Sequence, residues 1–154
     1  GAVDQPLDTE SLLAAVEAAQ LRGAQGVVIA FLHSYRNAAH ELAAKQFIFE
    51  TAPHLHVYCS SDVRPIIREY ERSSTAVIHG YVQPRVSEYL GALQRVLTEI
   101  GVASEPMITK SNGGIMSVEG GKTACVEMLL HMRGNLVGLA PANERINERV
   151  GATV

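Results

Sequence analysis

The sequence predicts an α/β fold, a partial parallel sheet with flanking helices. Residues 26–32 (GVVIAFL) form an unbroken, largely β-branched run, the pattern of a strand covered on both faces. A second short strand is expected over residues 55–59, and a helical segment of about a dozen residues separates the two. Strand, helix and strand within about 34 residues make a βαβ unit, whose strands run parallel. The chain has 154 residues, 47% hydrophobic and 19% charged. That is enough for one domain with a real core, and too apolar for a disordered tail.

Ahead of this unit, Asp8 is placed to cap a helix, with Thr9 and Glu10 adding acceptors and negative charge at its first turn. Leu12, Leu13, Val16, Ala19 and Leu21 recur at helical spacing, and Gly23 is placed to end the element. After the first strand a polar loop, residues 33–37, leads into a helix over residues 38–51. Asn37 or Ser34 is its expected cap, Leu42, Phe47 and Ile48 lie on its apolar side, and Pro53 stops it.

Beyond residue 64 the chain turns helical twice, over residues 65–81 and then from Pro84, a first-turn proline, to residue 100. Val86, Leu90, Leu93, Val96, Leu97 and Ile100 form the expected buried stripe of the second helix. A third strand is expected at residues 106–109, running into Ser111-Asn112-Gly113-Gly114. The α/β segment spans residues 1–119. Residues 120–154 are expected to form a weakly structured or atypical tail, with one modest apolar run, no clear period over residues 131–154 and a weak helix at residues 143–149.

Thirteen Lys and Arg against sixteen Asp and Glu give a net charge of −3, which argues against nucleic acid or a membrane surface as partner. The longest apolar run falls far short of the roughly 20 residues that span a bilayer. No basic stretch precedes an apolar one at the N-terminus, so no secretory signal is visible. Cys59 and Cys125, 66 residues apart, suggest neither a disulfide framework nor a zinc site. The expected location is cytoplasmic. His54 and His56 alternate along a strand, but spacing places no third ligand near them, and no metal site is expected.

Three stretches invite a chemical reading. Gly120-Gly121-Lys122-Thr123 looks like the end of a phosphate loop, but the position that needs the leading glycine is Met116. A surface turn is the better reading. Ser111-Asn112-Gly113-Gly114 follows a strand, where two glycines leave backbone amides open as an anion-binding nest. A tight turn explains the same residues. Arg68, Glu69, Glu71 and Arg72 lie in the densest polar run, and on a helix Arg68 and Arg72 share one face, spaced to grip a carboxylate or imide oxygen. A solvated helix end with local ion pairs explains the same residues and is the better reading of them. The loop at His33 to Asn37 sits at the carboxyl end of a strand, where α/β sheets place ligands; a capped loop with no ligand role explains it equally.

Taken together, FLHSYRNAAHE (residues 31–41), SSDVRPIIREYERSSTAVIHGYVQP (residues 60–84) and ITKSNGGIMS (residues 108–117) resemble the hydantoinase A and 5-oxoprolinase family, which includes acetone carboxylase β-type subunits. GKTACVEMLL (residues 121–130) extends the resemblance, which covers about residues 1–130. From His131 onward the Ser-Gly-Pro-Ala-like continuation of that family is replaced.

The resemblance implies a fragment of an actin, Hsp70 and sugar-kinase-like ATPase fold. It implies ATP-dependent opening of a cyclic amide or imide, with ATP and Mg²⁺ held by two Asp-Gly-Gly-Thr-type loops of a longer parent. This sequence contains neither loop, so the chain is expected to bind no cofactor and to be inactive alone. Implied partners are the rest of the parent polypeptide, a hydantoinase B-type subunit or domain, and a small cyclic amide. Arg68, Glu69, Glu71, Arg72 and Ser111, Asn112, Gly113, Gly114 are its candidate substrate-binding or interdomain residues. The alternative is a non-catalytic module that binds a small ligand or a protein.

Overall fold

Asp8 caps the first helix as its position predicts. Its carboxylate accepts the backbone N–H groups of Glu10 and Ser11, each at 3.1 Å, and opens α1 (Thr9–Leu21). The computed structural model describes residues 3, 5–102, 104–111 and 113–129. Gly23, with φ +80°, takes the left-handed turn that ends α1, donating its N–H to Gln20 O at 2.8 Å.

Strands β1 (Gly26–Ile29) and β2 (His56–Cys59) pair in parallel, with Gly26 opposite His56 and Ile29 opposite Cys59. The βαβ reading therefore holds. β1 stops at Ile29, short of the expected Leu32, because side chains take the backbone of Phe31 out of the ladder: Glu41 accepts its N–H and Arg72 donates to its carbonyl. Leu32 is 78% exposed. Nor is the strand covered throughout, since Gly26 is exposed and only Ile29 is fully buried.

Helix α2 (Ala39–Thr51) crosses between the strands. The N-cap is Ala38, which has no side-chain cap, and neither Asn37 nor Ser34 takes that position; Asn37, one residue earlier, accepts the Ala39 N–H through Oδ1 at 3.0 Å. The buried face is Glu41, Ala44 and Ile48; Leu42, expected there, is exposed, and Phe47 is half-buried. Ile48 and Ala44 join Val16, Ile29, Ala52, Leu55 and Cys59 in one apolar core between α1, α2 and the sheet. Truncating a residue such as Ile48 to Ala there costs about 2–5 kcal/mol.

A single turn, α3 (Ser60–Val63), follows β2, and then α4 (Glu69–Glu99) runs unbroken for 31 residues. The two helices expected on either side of Pro84 are one. Pro84 forfeits one N–H bond to the previous turn, but α4 packs on α3 and on both strands, and tertiary packing outweighs that loss. Gly80 permits the approach to the sheet: a Cβ there would lie 3.0 Å from both Tyr58 Cδ2 and Val28 Cγ2. In the expected stripe Leu90 is buried, Val86, Leu93 and Leu97 are half-buried, and Val96 and Ile100 are exposed.

The third strand is present as β3 (Met107–Thr109). It pairs antiparallel with β4 (Ile115–Ser117) in a separate hairpin, with Ser111, Gly113 and Gly114 in the connecting turn. Ser117 Oγ accepts the Gly120 N–H at 3.1 Å and caps α5 (Val118–Thr123), so the glycine-lysine stretch is helix and not a surface turn. Helix α6 (Cys125–Leu129) follows, and both short helices pack on α4. The boundary drawn after residue 119 thus falls inside α5. Residues 131–154, with the weak helix expected at residues 143–149, lie outside the described residues.

Candidate functional site

The carboxyl ends of β1 and β2 converge on a polar cluster whose centre is wholly buried and whose edge, at Ser61 and Glu69, is half-buried. Glu41 and Arg72 each have 0% exposure, as does Ser60. From α2, Glu41 Oε1 accepts the Phe31 N–H at 2.9 Å and the Ser60 hydroxyl at 2.7 Å. Its Oε2 accepts the Ser61 N–H at 2.9 Å and the Ser61 hydroxyl at 2.7 Å. From α4, Arg72 donates through Nε to Ser60 Oγ at 3.0 Å and through Nη2 to Phe31 O at 2.8 Å. Its Nη1 reaches Ile66 O at 2.9 Å and Glu69 Oε2 at 3.0 Å, and the guanidinium lies 5.9 Å from the Tyr35 ring centroid.

The electrostatics follow from these partners. Burial alone pushes the Glu41 carboxyl up; the N–H groups of Ser61 and Phe31 and the Ser60 and Ser61 hydroxyls outweigh it and hold the group below the ordinary carboxylate value of 4.5. Glu69 is also held low, first by the Arg72 guanidinium and then by the His33 N–H. That N–H, 2.7 Å from Glu69 Oε1, belongs to a residue with φ 57°, the one non-glycine left-handed backbone among the described residues. The cluster therefore holds His33, at the head of the loop, in a backbone conformation that side chains rarely adopt.

The predicted site residues divide. Arg72 and Glu69 belong to the cluster. Arg68 and Glu71 form an exposed ion pair at 3.2 Å. Ser111, Gly113 and Gly114 lie in the β3–β4 turn; Asn112 lies outside the described residues. Glu41, Ser60 and Ser61 were not singled out by sequence reasoning. The available signal was a glutamate on the inner side of α2 at the spacing of Ala44 and Ile48, and a Ser-Ser pair directly after a strand.

Neither glycine stretch fits a phosphate cradle. The Gly113 N–H goes to Lys110 O at 3.0 Å, the Lys110 N–H to Gly114 O at 2.7 Å and the Ser111 N–H to Met128 O at 3.1 Å, so these amides close the turn and hold it to α6. Lys122 Nζ is committed to Glu119 Oε1 at 2.6 Å and Gln94 Oε1 at 2.7 Å. Gly121 is buried, with Ile108 Cδ1 and Leu90 Cδ1 where a Cβ would project. Among the described residues no cluster of three or more His, Cys, Asp or Glu is arranged to hold a metal. No helix among them is long and apolar enough to cross a membrane.

Residues 1–52 match the hydantoinase/oxoprolinase N-terminal region and residues 72–131 match the hydantoinase/oxoprolinase family. The chain is 32% identical over 115 residues to the caprolactamase subunit alpha of Pseudomonas jessenii, covering 75% of this chain and 16% of that protein. It is 28% identical over 123 residues to the 5-oxoprolinase of Saccharomyces cerevisiae, covering 80% of this chain and 9% of that one. The crystal structure of the ATP-dependent caprolactamase from Pseudomonas jessenii superposes with a TM-score of 0.70 at 32% identity, over 75% of this chain and 17% of that chain. The nucleotide-free acetone carboxylase structure gives a TM-score of 0.70 at 22% identity, over 95% of this chain and 20% of that one, a likeness of fold. The chain thus spans under a fifth of the length of these relatives, apart from the acetone carboxylase, of which it spans 20%. The two family matches fall in chain order on either side of β2 and α3, and the α/β chain belongs to the hydantoinase/oxoprolinase family.

Proposed function

We propose that this chain is a segment of a cytoplasmic, ATP-dependent enzyme that hydrolyses a cyclic amide or imide. It supplies scaffold together with a substrate-facing or interdomain surface. The observation that carries the reading is the Glu41–Ser60–Arg72 cluster. Its charges are satisfied internally, and it preorganises the carboxyl ends of two parallel strands, the edge from which α/β proteins reach their ligands. Similarity to a caprolactamase and a 5-oxoprolinase supports the choice of a cyclic amide.

On this reading Arg68 and Glu71 are exposed members of the surface, while Arg72 and Glu69 position the loop behind it. Ser111 to Gly114 face the rest of a longer polypeptide. ATP and Mg²⁺ belong to other parts of that polypeptide, whose fold is of the actin, Hsp70 and sugar-kinase kind. A hydantoinase B-type subunit or domain is the expected partner.

The test is turnover. Within the longer polypeptide and with its B-type partner, the segment should support ATP-dependent opening of caprolactam, 5-oxoproline or hydantoin; the chain alone should turn over none. Arg68→Ala and Gly113→Ala should each lower kcat/KM at least tenfold, about 1.4 kcal/mol. Absence of turnover on every cyclic amide, or magnesium-dependent ATP binding by the chain alone, would overturn the reading.

A further inference from the structure

The backbone of His33 lies in the left-handed region, at φ 57°, where a glycine sits at little cost and an L side chain does not. Glu69 holds it there, accepting the His33 N–H at 2.7 Å, and Arg72 in turn holds Glu69 at 3.0 Å. The first bond uses only the His33 backbone, so a glycine at this position would keep it.

The imidazole itself contributes little to the fold. It is 79% exposed and makes no hydrogen bond among the described residues. Its Nδ1 lies 3.9 Å from Glu69 Oε1, and its ring stands edge-on to Tyr35 with centroids 6.3 Å apart. Backbone strain retained under an exposed side chain with no structural bond points to a use outside the fold.

The surroundings set the sign of the charge that would meet it. Ser34 Oγ lies 3.3 Å from Ser60 Oγ and joins the turn after β1 to the turn after β2. The carboxylates beside these turns are engaged: Glu41 by Ser60 and Ser61, Asp62 by Lys45, Glu69 by Arg72 and Glu71 by Arg68. Arg36 and Arg64, which follow β1 and β2 respectively, are exposed and have no ion pair among the described residues. The uncommitted charge at this edge is positive.

We propose that His33 is a ligand-contacting residue, whose imidazole meets an oxyanion, a phosphate or a carboxylate, bound at the carboxyl ends of β1 and β2. The proposal deepens the functional reading above and rests on it for the longer enzyme in which the ligand binds. The choice of His33 and of negative charge rests on this edge alone.

Two measurements test it. His33→Gly in the 154-residue chain should leave the melting temperature unchanged or raise it by up to about 4 °C, while in the longer enzyme it lowers kcat/KM at least tenfold. Carbethoxylation by diethyl pyrocarbonate, read by mass spectrometry, should label His33 readily in the chain alone. In the longer polypeptide the rate at His33 should fall at least tenfold with magnesium-ATP if the oxyanion is a phosphate, or with 5-oxoproline if it is a carboxylate. An equal rate with and without both ligands, or a lowered melting temperature for His33→Gly, would overturn the proposal. Protection of His33 without turnover of any cyclic amide would sink the functional reading alone. Turnover that His33→Gly leaves unchanged would sink this inference alone.

Discussion

Arg72 and Glu41, both wholly buried, form no ion pair; the Ser60 hydroxyl joins them, accepting from Arg72 Nε at 3.0 Å and donating to Glu41 Oε1 at 2.7 Å. One small side chain after β2 thus mediates between a cation on α4 and an anion on α2. The other hydrogen bonds of the two charges go to the backbone of Phe31, Ser61 and Ile66, to the Ser61 hydroxyl and to Glu69.

Ser60→Ala should cost about 1–3 kcal/mol, because it leaves a buried donor and a buried acceptor short of a partner at once. Arg72→Met should cost about 3–5 kcal/mol, the toll of breaking a buried charge network from one side. Arg68→Ala, in an exposed pair, should cost less than about 1 kcal/mol. Urea denaturation orders the three; Arg72→Met falling no further than Arg68→Ala would show that the cluster is not structural.

The acid limb of stability carries the mark of Glu41. Its carboxyl is held below 4.5 in the folded chain, so the unfolded chain takes up the proton first as pH falls. The contribution is complete above the unfolded value and disappears as pH drops through the folded one. Glu41→Gln should lower stability at pH 7 and flatten its decline between about pH 5 and pH 3. An unchanged slope, measured by urea titration at each pH, would refute this.

Two glycines in α4 should answer the same substitution with opposite signs. Gly91→Ala meets only Arg95 Nη1 at 3.7 Å and should gain up to about 1 kcal/mol from helix propensity. Gly80→Ala drives a methyl against Tyr58 and Val28 at 3.0 Å and should lose about 1–3 kcal/mol despite the same propensity. Thermal melts of the pair decide it.

Neither thiol should react in the native chain. Burial pushes Cys59 up to about 12 and Cys125 up to about 11, and both side chains have 0% exposure. A disulfide-exchange reagent at pH 8 should label neither until denaturant is added, and then both. Rapid native labelling would show that the β2 edge opens readily.

The first half of the fold was legible because its signals are local. Asp8 and Gly23 bracket α1 through their own backbone geometry, and the runs at β1 and β2 are separated by one helix length. What escaped was decided at a distance. Pro84 reads as a helix start, and only packing of α4 on the sheet and the later helices keeps it inside one. β4 is three residues long, too short to show a period. Arg72 stood out as a charge in a polar run, but its partners come from residues as far as Phe31, 41 positions away, and Glu41 reads as surface until Ser60 and Ser61 fold against it.

The continuity of α4 gives the molecule a lever. Arg72 fastens one end to Ser60 and Phe31, just beyond the strand ends, while Gln94 holds Lys122 near the other, about 33 Å away at 1.5 Å per residue. A tilt of about 10° pivoting at Arg72 swings Gln94 through about 6 Å, and carries Lys122 and the hairpin side with it. A shift at the strand ends, were it to tilt the rod, would be magnified at the far end by the length of α4 alone. Pro84, where the rod lacks a backbone bond, is where it bends first under load.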